Sequence, residues 1–482
     1  MQLISRKFQE RGKMFIGRER ELAMLERMFN SDKFEFAVVY GRRRIGKTAL
    51  LSHFAQDKRA IFFTGIEQDA RKNLQIFTSE ILKVLSGTSG DARFADFYAA
   101  LDFVFRNAGD QRLILIIDEY PYVARACKSL ASVLQQLIDR YQDGSKLMLI
   151  LCGSSVSYME DEVLAYNSPL YGRRTAQLKI LPFDFKDARR FWKHASAENQ
   201  ALFYGMVGGT PQYIRALSDT LSLKDNLKNT FLNALSALYT EPGSLISQEL
   251  REPALYNTVI SAIAAGASKL SEISTKTGIS SGVCAKYINT LINLEIVKKE
   301  TPYGEKTSKK TLYSIADSLF RFWYRFIPEN TTAIERGVTD GALKEISSEL
   351  SDYMGPVFEE ICRQYLWDQL SKGKCPVKFV SLGRWWGNDP LRKEQAEIDI
   401  MGEQDRDTAL FAECKWRNEK ADLNTLETLI ARSRLFSYAN VSLYLFSKSG
   451  FTKGCVERAG KSPEIHLVSY AQILKDFQLT DN

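Results

Sequence analysis

The sequence predicts a multidomain α/β protein whose first block is a doubly wound parallel sheet. Three observations predict it. Strand-sized apolar runs alternate with helical stretches through residues 34–182, a glycine-rich turn joins the first run to the helix after it, and a later run ends in two adjacent acids. The chain has 482 residues, enough for about three domains at roughly 150 residues each.

Within this block, residues 34–40 form an apolar run that leads into the turn, and 47–56 read as the helix beyond it. A second strand is expected at 60–64, followed by two helical stretches to about residue 107. Residues 113–117 and 146–152 are apolar runs too short for helices and bounded by polar residues, and 177–181 closes the series before Pro182.

Composition narrows the function classes. With 45% hydrophobic and 26% charged residues the chain is globular, not disordered. No apolar run approaches the ~20 residues of a membrane span, and residues 1–11 lack a signal-peptide core. Seven cysteines, with no CxxC pair, support neither a disulfide framework nor a zinc knuckle, and three histidines leave little room for histidine-based metal chemistry. These features predict a reduced, cytoplasmic protein with no membrane partner. The net charge of +7 is compatible with a nucleic-acid partner without requiring one.

Gly41-Arg42-Arg43-Arg44-Ile45-Gly46-Lys47-Thr48 fits GxxxxGK[ST], with the strand before and the helix after that the motif needs. Gly41 and Gly46 permit a tight loop whose amides face phosphate oxygens at a helix N-terminus. Lys47 supplies charge to the β and γ phosphates of ATP, and the Thr48 hydroxyl binds Mg²⁺. The expected nucleotide contacts run from Gly41 through Thr48 to Ala49. The run at 113–117 delivers Asp118 and Glu119 to a strand end, where Asp118 would hold Mg²⁺ through water and Glu119 would polarise the attacking water. A strand lying between the two motifs in the sequence suggests an extra strand between P-loop and acidic strand in the sheet. The strand at 146–152 would then end beside the γ-phosphate, with Ser154 or Ser155 as its sensor. Arg173 or Arg174 is a candidate arginine finger, acting in cis or from a neighbouring subunit of a homo-oligomer; a solvated basic pair is the plain alternative.

Phe15-Ile16-Gly17-Arg18-Glu19-Arg20-Glu21-Leu22 ahead of the loop resembles the N-terminal box of AAA+-like and STAND-type ATPases. Together with the P-loop, Asp118-Glu119 and Gly208-Gly209-Thr210-Pro211, it resembles the archaeal-type ATPase family over roughly residues 14–240. The resemblance implies an ATPase core at 14–182 and a helical lid at 183–250. It also implies that Phe15, Ile16 and Gly17 pack near adenine, and that Pro211 belongs to a lid segment at the nucleotide. Arg215 is a candidate lid sensor.

Residues 253–316 read as three short helices and a two-stranded wing with its tip near Gly304, a winged helix-turn-helix. Lys298, Lys299, Lys306, Lys309 and Lys310 on the wing, with Lys286 on the third helix, suit DNA phosphates; a solvated hairpin on a structural module accounts for them equally. Residues 320–352 read as a helical linker.

In the final α/β block, 355–479, Glu397-Ile398-Asp399 is followed by Glu413-Cys414-Lys415-Trp416. Strand alternation puts Glu413 and Lys415 on one face and Cys414 on the other. Asp399 and Glu413 would bind Mg²⁺ and Lys415 would orient water or stabilise phosphate charge. Glu359 is a further ligand candidate, with Glu360 the alternative. This arrangement resembles the PD-(D/E)xK nuclease superfamily, which implies a restriction-endonuclease-like fold. With Gly383-Arg384-Trp385-Trp386 it also resembles the domain that follows archaeal-type ATPase modules. Arg384, Arg392 and Lys393 would suit a phosphate backbone. The expected function is therefore an ATPase whose nucleotide state controls DNA binding or metal-dependent DNA cleavage. The alternative is an ATP-dependent switch or scaffold with a catalytically inactive nuclease-like recognition domain.

Overall fold

The computed structural model describes residues 15–87, 93–109, 111–305, 309–390 and 393–477. Lys306 and Arg392 lie outside the described residues. The chain divides into two compact units: Met1–Pro182 with Thr210–Gln212, and Phe183–Gly209 with Tyr213–Asn482.

The first unit carries α1 (Glu19–Phe29), β1 (Glu35–Tyr40), α2 (Lys47–Ala55), β2 (Ala60–Thr64), α3 (Ala70–Leu85) and α4 (Phe97–Ala108). It continues with β3 (Leu113–Asp118), α5 (Tyr120–Ala126), α6 (Leu130–Tyr141), β4 (Leu147–Gly153) and β5 (Ala176–Lys179). Its sheet runs β2-β3-β4-β1-β5, and every neighbouring pair is parallel. Every residue of β1, β3 and β4 is buried. Helices cover both faces, so these strands read as unbroken apolar runs without alternation. The inner faces separate accordingly: Leu115 and Leu149 pack with α3, α4 and α6, whereas Ile116 and Ile150 pack with α1 and α2. β4 lies between β1 and β3. The extra strand separating the P-loop strand from the acidic strand is thus β4, while β2, its sequence intermediary, sits at the sheet edge.

In the second unit a helical layer includes α7 (Ala197–Val207) and α8 (Ala237–Glu249). Next come α9 (Pro253–Ala264), α10 (Leu270–Thr277) and α11 (Ser281–Asn293), then an antiparallel hairpin of β6 (Val297–Glu300) and β7 (Leu312–Ile315). Ile260, Ile273, Ile288, Val297 and Ile315 share one core. α12 (Ser318–Phe326) contributes to two cores at once: Phe320 and Tyr324 to that one, Leu319, Phe322 and Phe326 to the core of α7. Its aromatic spacing wraps apolar side chains around more than one face.

α13 (Asp340–Tyr353) and α14 (Gly355–Ser371) lead into a mixed sheet of β8 (Gly383–Asp389), β9 (Glu394–Glu403), β10 (Thr408–Lys415), β11 (Asn440–Ser447) and β12 (Ile465–Ser469). α15 (Leu423–Ser433) lies between β10 and β11 in sequence. The order is β12-β11-β10-β9-β8; β8–β9 and β9–β10 are antiparallel, and β10–β11 and β11–β12 parallel. Strand alternation serves both faces of β10. Leu410, Ala412 and Cys414 join the core that includes α14, and Ala409 and Phe411 join the one with α15. Among the described residues no helix is long and apolar enough to cross a membrane.

Candidate functional site

In the first unit the loop after β1 is held tightly. A Cβ on Gly41, where φ is +153°, would collide with the Ile180 carbonyl oxygen, and Gly46 takes φ +92° as the N-cap of α2. Both conformations belong to glycine. Gly41→Ala is expected to cost of order 1–3 kcal/mol in backbone strain and to weaken ATP binding by tenfold or so. Titration calorimetry checks it; unchanged affinity would contradict this loop geometry.

Lys47 is buried, and its Nζ donates to the carbonyls of Gly41 and Arg42 at 2.9 Å each. Burial pushes its pKa below the ordinary lysine value, while neighbouring Glu119 and Asp118 act to raise it. The Thr48 hydroxyl donates to Asp118 Oδ2 at 2.8 Å, and Asp118 is almost fully buried at the end of β3. A hydroxyl and one carboxylate are the protein oxygens that Mg²⁺ ordinarily takes when phosphates and water complete its shell, so the pair fits that ion. Glu119 sits at φ +51°, and Ser154 at the end of β4 reaches it through its hydroxyl (2.7 Å) and amide (3.3 Å). Ser154, expected as a γ-phosphate sensor, therefore bonds Glu119. Ser155 precedes the short helix Val156–Tyr158 and makes no side-chain cap bond.

Around the loop, the Phe15 ring stacks on His53 of α2 with centroids 4.2 Å apart. Pro211 reaches within 3.5 Å of the position a Cβ on Gly46 would take. Arg18 is a residue the motif reading passed over: its guanidinium donates to Ile45 O at 3.2 Å and Leu181 O at 2.7 Å, joining the P-loop to the segment after β5. Arg43 donates to Tyr122 Oη at 3.0 Å. Only the Gly17-Arg18 box in the sequence signalled Arg18; nothing signalled Tyr122. Of the two finger candidates, Arg173 is engaged by both oxygens of Asp139 at 2.7 Å. Arg174 lies 5.7 Å from the Tyr171 ring, its Nη1 buried without a hydrogen-bond partner. Arg215 is exposed in the second unit.

The second unit gathers the C-terminal residues. Gly383 pairs with Met401 but Trp385 with Ile398, so three steps along β9 match two along β8. Such a bulge re-aims side chains, and it falls at Asp399. Asp399 Oδ2 accepts the Cys414 amide at 2.8 Å. Burial, then the charges of Glu413 and Glu359, push its carboxyl well above the usual range. Glu413 is buried and paired with Lys415 at 2.5 Å and with Arg432 of α15 at 3.5 Å. Glu413 and Lys415 thus share a face, while Cys414 turns to Cys362 of α14. Glu359, on α14, is 3.6 Å from Arg363; burial raises its pKa while the Arg363 and Arg384 charges act to lower it. Glu360 is the more exposed of the two and also pairs with Arg363, at 3.3 Å.

Among the described residues no three His, Cys, Asp or Glu side chains form a group able to hold a metal ion. The expected ligands Glu359, Asp399 and Glu413 are neighbours but not a cage: Glu359 pairs with Arg363, Glu413 with Lys415 and Arg432, and Asp399 with the Cys414 amide. Sequence reasoning missed Arg363, whose partners Glu359 and Glu360 lie one turn away on α14 and were legible from helical spacing, and Arg432, whose partner Glu413 depends on how α15 packs on the sheet. Arg384 bonds Glu397, and Lys393 is exposed at φ +53°. On the hairpin, Lys298 pairs with Glu300 at 3.0 Å and Lys310 with Glu305 at 3.1 Å. Lys286, Lys299 and Lys309 are exposed. All seven cysteines are free thiols.

A parallel sheet with β4 inserted between the glycine loop and the Asp118 strand, a buried P-loop lysine and a Thr48–Asp118 pair define the class: a P-loop nucleoside triphosphatase. Residues 15–217 match the family described as an ATPase domain predominantly from Archaea, and residues 323–426 match one described as archaeal and bacterial proteins of unknown function. An uncharacterized Methanocaldococcus jannaschii protein is 34% identical over 409 residues, 84% of this chain and 88% of its own length. The chain belongs to the same family as that protein, and its residues 15–217 are an ATPase domain of the kind found predominantly in Archaea. An ATP-binding protein of the same organism is 46% identical over 46 residues, 10% of this chain and 78% of its own. Among solved structures, the Walker-type ATPase of Pyrococcus abyssi aligns with TM-score 0.48 and 21% identity over 64% of this chain and 96% of its own. The Aeropyrum pernix ORC2 protein aligns with TM-score 0.44 and 15% identity over 71% and 98%.

Proposed function

We propose that this chain hydrolyses ATP and couples its nucleotide state to a C-terminal domain that acts on DNA by metal-dependent phosphodiester cleavage. At the P-loop, Lys47 would leave the Gly41 and Arg42 carbonyls for the β and γ phosphates, Thr48 and Asp118 would hold Mg²⁺, and Glu119 would take the proton of the attacking water. The Phe15–Gly17 box and Pro211 flank the same loop and suit adenine. Arg174 is the better of the two finger candidates, since Arg173 is spent on Asp139. We take 253–316 as a winged helix-turn-helix and the C-terminal block as nuclease-like.

The observation that carries the C-terminal half of the reading is the convergence of Asp399 and Glu413 with the Lys415 ammonium. A divalent ion bound by the two acids would supply Lewis-acid stabilisation of phosphate charge. Lys415 and Arg432 would then be left facing that phosphate. The test is nicking of supercoiled and linear DNA with Mg²⁺ or Mn²⁺, with and without ATP, by wild type, Lys47→Ala and Asp399→Ala. ATP-stimulated nicking lost in both variants is the expected result. No metal-dependent nicking by wild type in any nucleotide state would sink the nuclease assignment.

One observation favours the second reading, a nucleotide switch with an inactive recognition domain: Glu413 is already neutralised by Lys415 and Arg432. That reading predicts ATP turnover without cleavage. A shallow salt dependence of DNA affinity would accompany it if the partner is not a phosphate backbone.

A further inference from the structure

The segment that leaves β6, at Pro302–Tyr303, is seated on the C-terminal sheet. The Tyr303 amide donates to Arg384 O at 2.9 Å. The Tyr303 hydroxyl accepts the Glu403 amide at 3.0 Å and bonds the Ser381 hydroxyl at 3.2 Å. Its ring lies over Gly383, where an added Cβ would come within 2.9 Å of it. β8 is an edge strand, and the turn at Pro302–Tyr303 covers part of that edge.

The strand leading to this turn reaches the C-terminal charges as well. Lys298 pairs with Glu300 at 3.0 Å; the charges of Arg363 and Arg384 act on Glu300, and that of Lys298 acts on Glu359. Arg384 is bonded to Glu397, and Glu359 is the acid next in line to Asp399. Two of the cations offered by the sequence for DNA, Lys298 and Arg384, are therefore paired with acids of the protein. The hairpin's apolar anchors, Val297 and Ile315, belong to the core of α9–α11 and do not depend on this seat. The seat joins these polar bonds, which water can replace, to packing of the Tyr303 ring against the core of β9, β10 and α15; lifting the segment gives up that contact while the hairpin's own core stays folded.

We propose that the hairpin is an intramolecular clamp: Tyr303 anchors it on β8 and β9, Lys298 and Glu300 lie against the charge cluster leading to Asp399, and a DNA backbone reaches Asp399, Glu413 and Lys415 only when the clamp is lifted. This deepens the nuclease reading of that site and rests on it.

The geometry supplies its own test. The Tyr303 Cβ lies 3.7 Å from the position of a Cβ on Gly383, inside the roughly 3.5–4.5 Å that a disulfide requires. In the full-length chain, Tyr303→Cys with Gly383→Cys should therefore oxidise to a locked hairpin and be released by reductant, with the bond verified by mass spectrometry. DNA affinity and Mn²⁺-dependent nicking are measured in both states with ATP present. The locked form is expected to fall below wild type, and the reduced form, lacking the tyrosine anchor, to exceed it by roughly tenfold, a usual coupling between two sites. Tyr303→Phe keeps the ring and loses only the hydroxyl's bonds; it should give a smaller rise in the same direction. Equal binding and nicking in the oxidised and reduced states, with wild type active, overturns the clamp and leaves the site's assignment standing. No binding or nicking by any form, wild type included, removes the nuclease reading and the clamp with it.

Discussion

Glu119→Gln is expected to bind ATP as wild type does and to lose hydrolysis by about 10²–10⁴-fold, the usual worth of a positioned general base. The substitution keeps the shape of the side chain and its place after β3. It also keeps an oxygen for the Ser154 hydroxyl, which now donates to Glu119 at 2.7 Å. On the proposed reading, binding rests on other groups: the Gly41–Gly46 loop, Lys47, Thr48 and Asp118. Single-turnover phosphate release beside nucleotide affinity separates the two effects. Ser154→Ala is the companion variant: it leaves the acid in place and removes the hydroxyl that positions it, so its effect should be milder and confined to turnover. A Glu119→Gln enzyme that turns over within a few-fold of wild type would assign the base elsewhere.

The second large effect concerns Asp399, where function and stability are expected to move in opposite directions. Asp399→Asn should abolish metal-dependent cleavage and, in metal-free protein, raise the melting temperature. The cause is the crowding of Asp399 by burial and by the charges of Glu413 and Glu359. A neutral amide keeps an acceptor for the Cys414 amide and drops the repulsion. Because folding raises the pKa of Asp399, protonation favours the native state. The stability it permits is fully present below the ordinary aspartate value and is lost as pH rises through the elevated one. The variant's advantage over wild type should therefore be absent in acid, grow above the ordinary aspartate pKa, and level off beyond the raised value. Each kcal/mol relieved corresponds to roughly 2–4 °C in a domain of 150–250 residues. Thermal melts in chelator across pH check this, and a variant less stable than wild type at neutral pH would refute the like-charge account.

Local chemistry made the first unit readable. The buried strands β1, β3 and β4 announce themselves as apolar runs because helices cover both their faces. The loop from Gly41 to Thr48 announces itself because glycines at that spacing permit a tight turn into a helix N-terminus, with a lysine and a hydroxyl following directly. The alternation that pairs Glu413 with Lys415 and turns Cys414 away is likewise a local property of a strand. In each case the determining interaction spans a few residues, so the pattern survives in the one-dimensional chain.

Tertiary structure decided what depends on distant segments meeting. Arg18 is 163 residues from the Leu181 carbonyl it bonds, and Ser154 is 35 residues from Glu119. The bulge that re-aims Asp399 exists only because β9 carries one more residue than β8 across the same span. The hairpin lysines read in the sequence as suited to DNA phosphates or solvent, yet Lys298 pairs with Glu300, and Tyr303 bonds residues about 80–100 positions away. A side chain's type sets what it can bond, but its partner is set by which surfaces are apolar enough to be buried together. By itself, the sequence determined the ATPase core and its phosphate loop. Packing decided which acids and cations meet at the C-terminal sheet, because burial at low dielectric makes each of those charges seek a counter-charge wherever the fold has placed one.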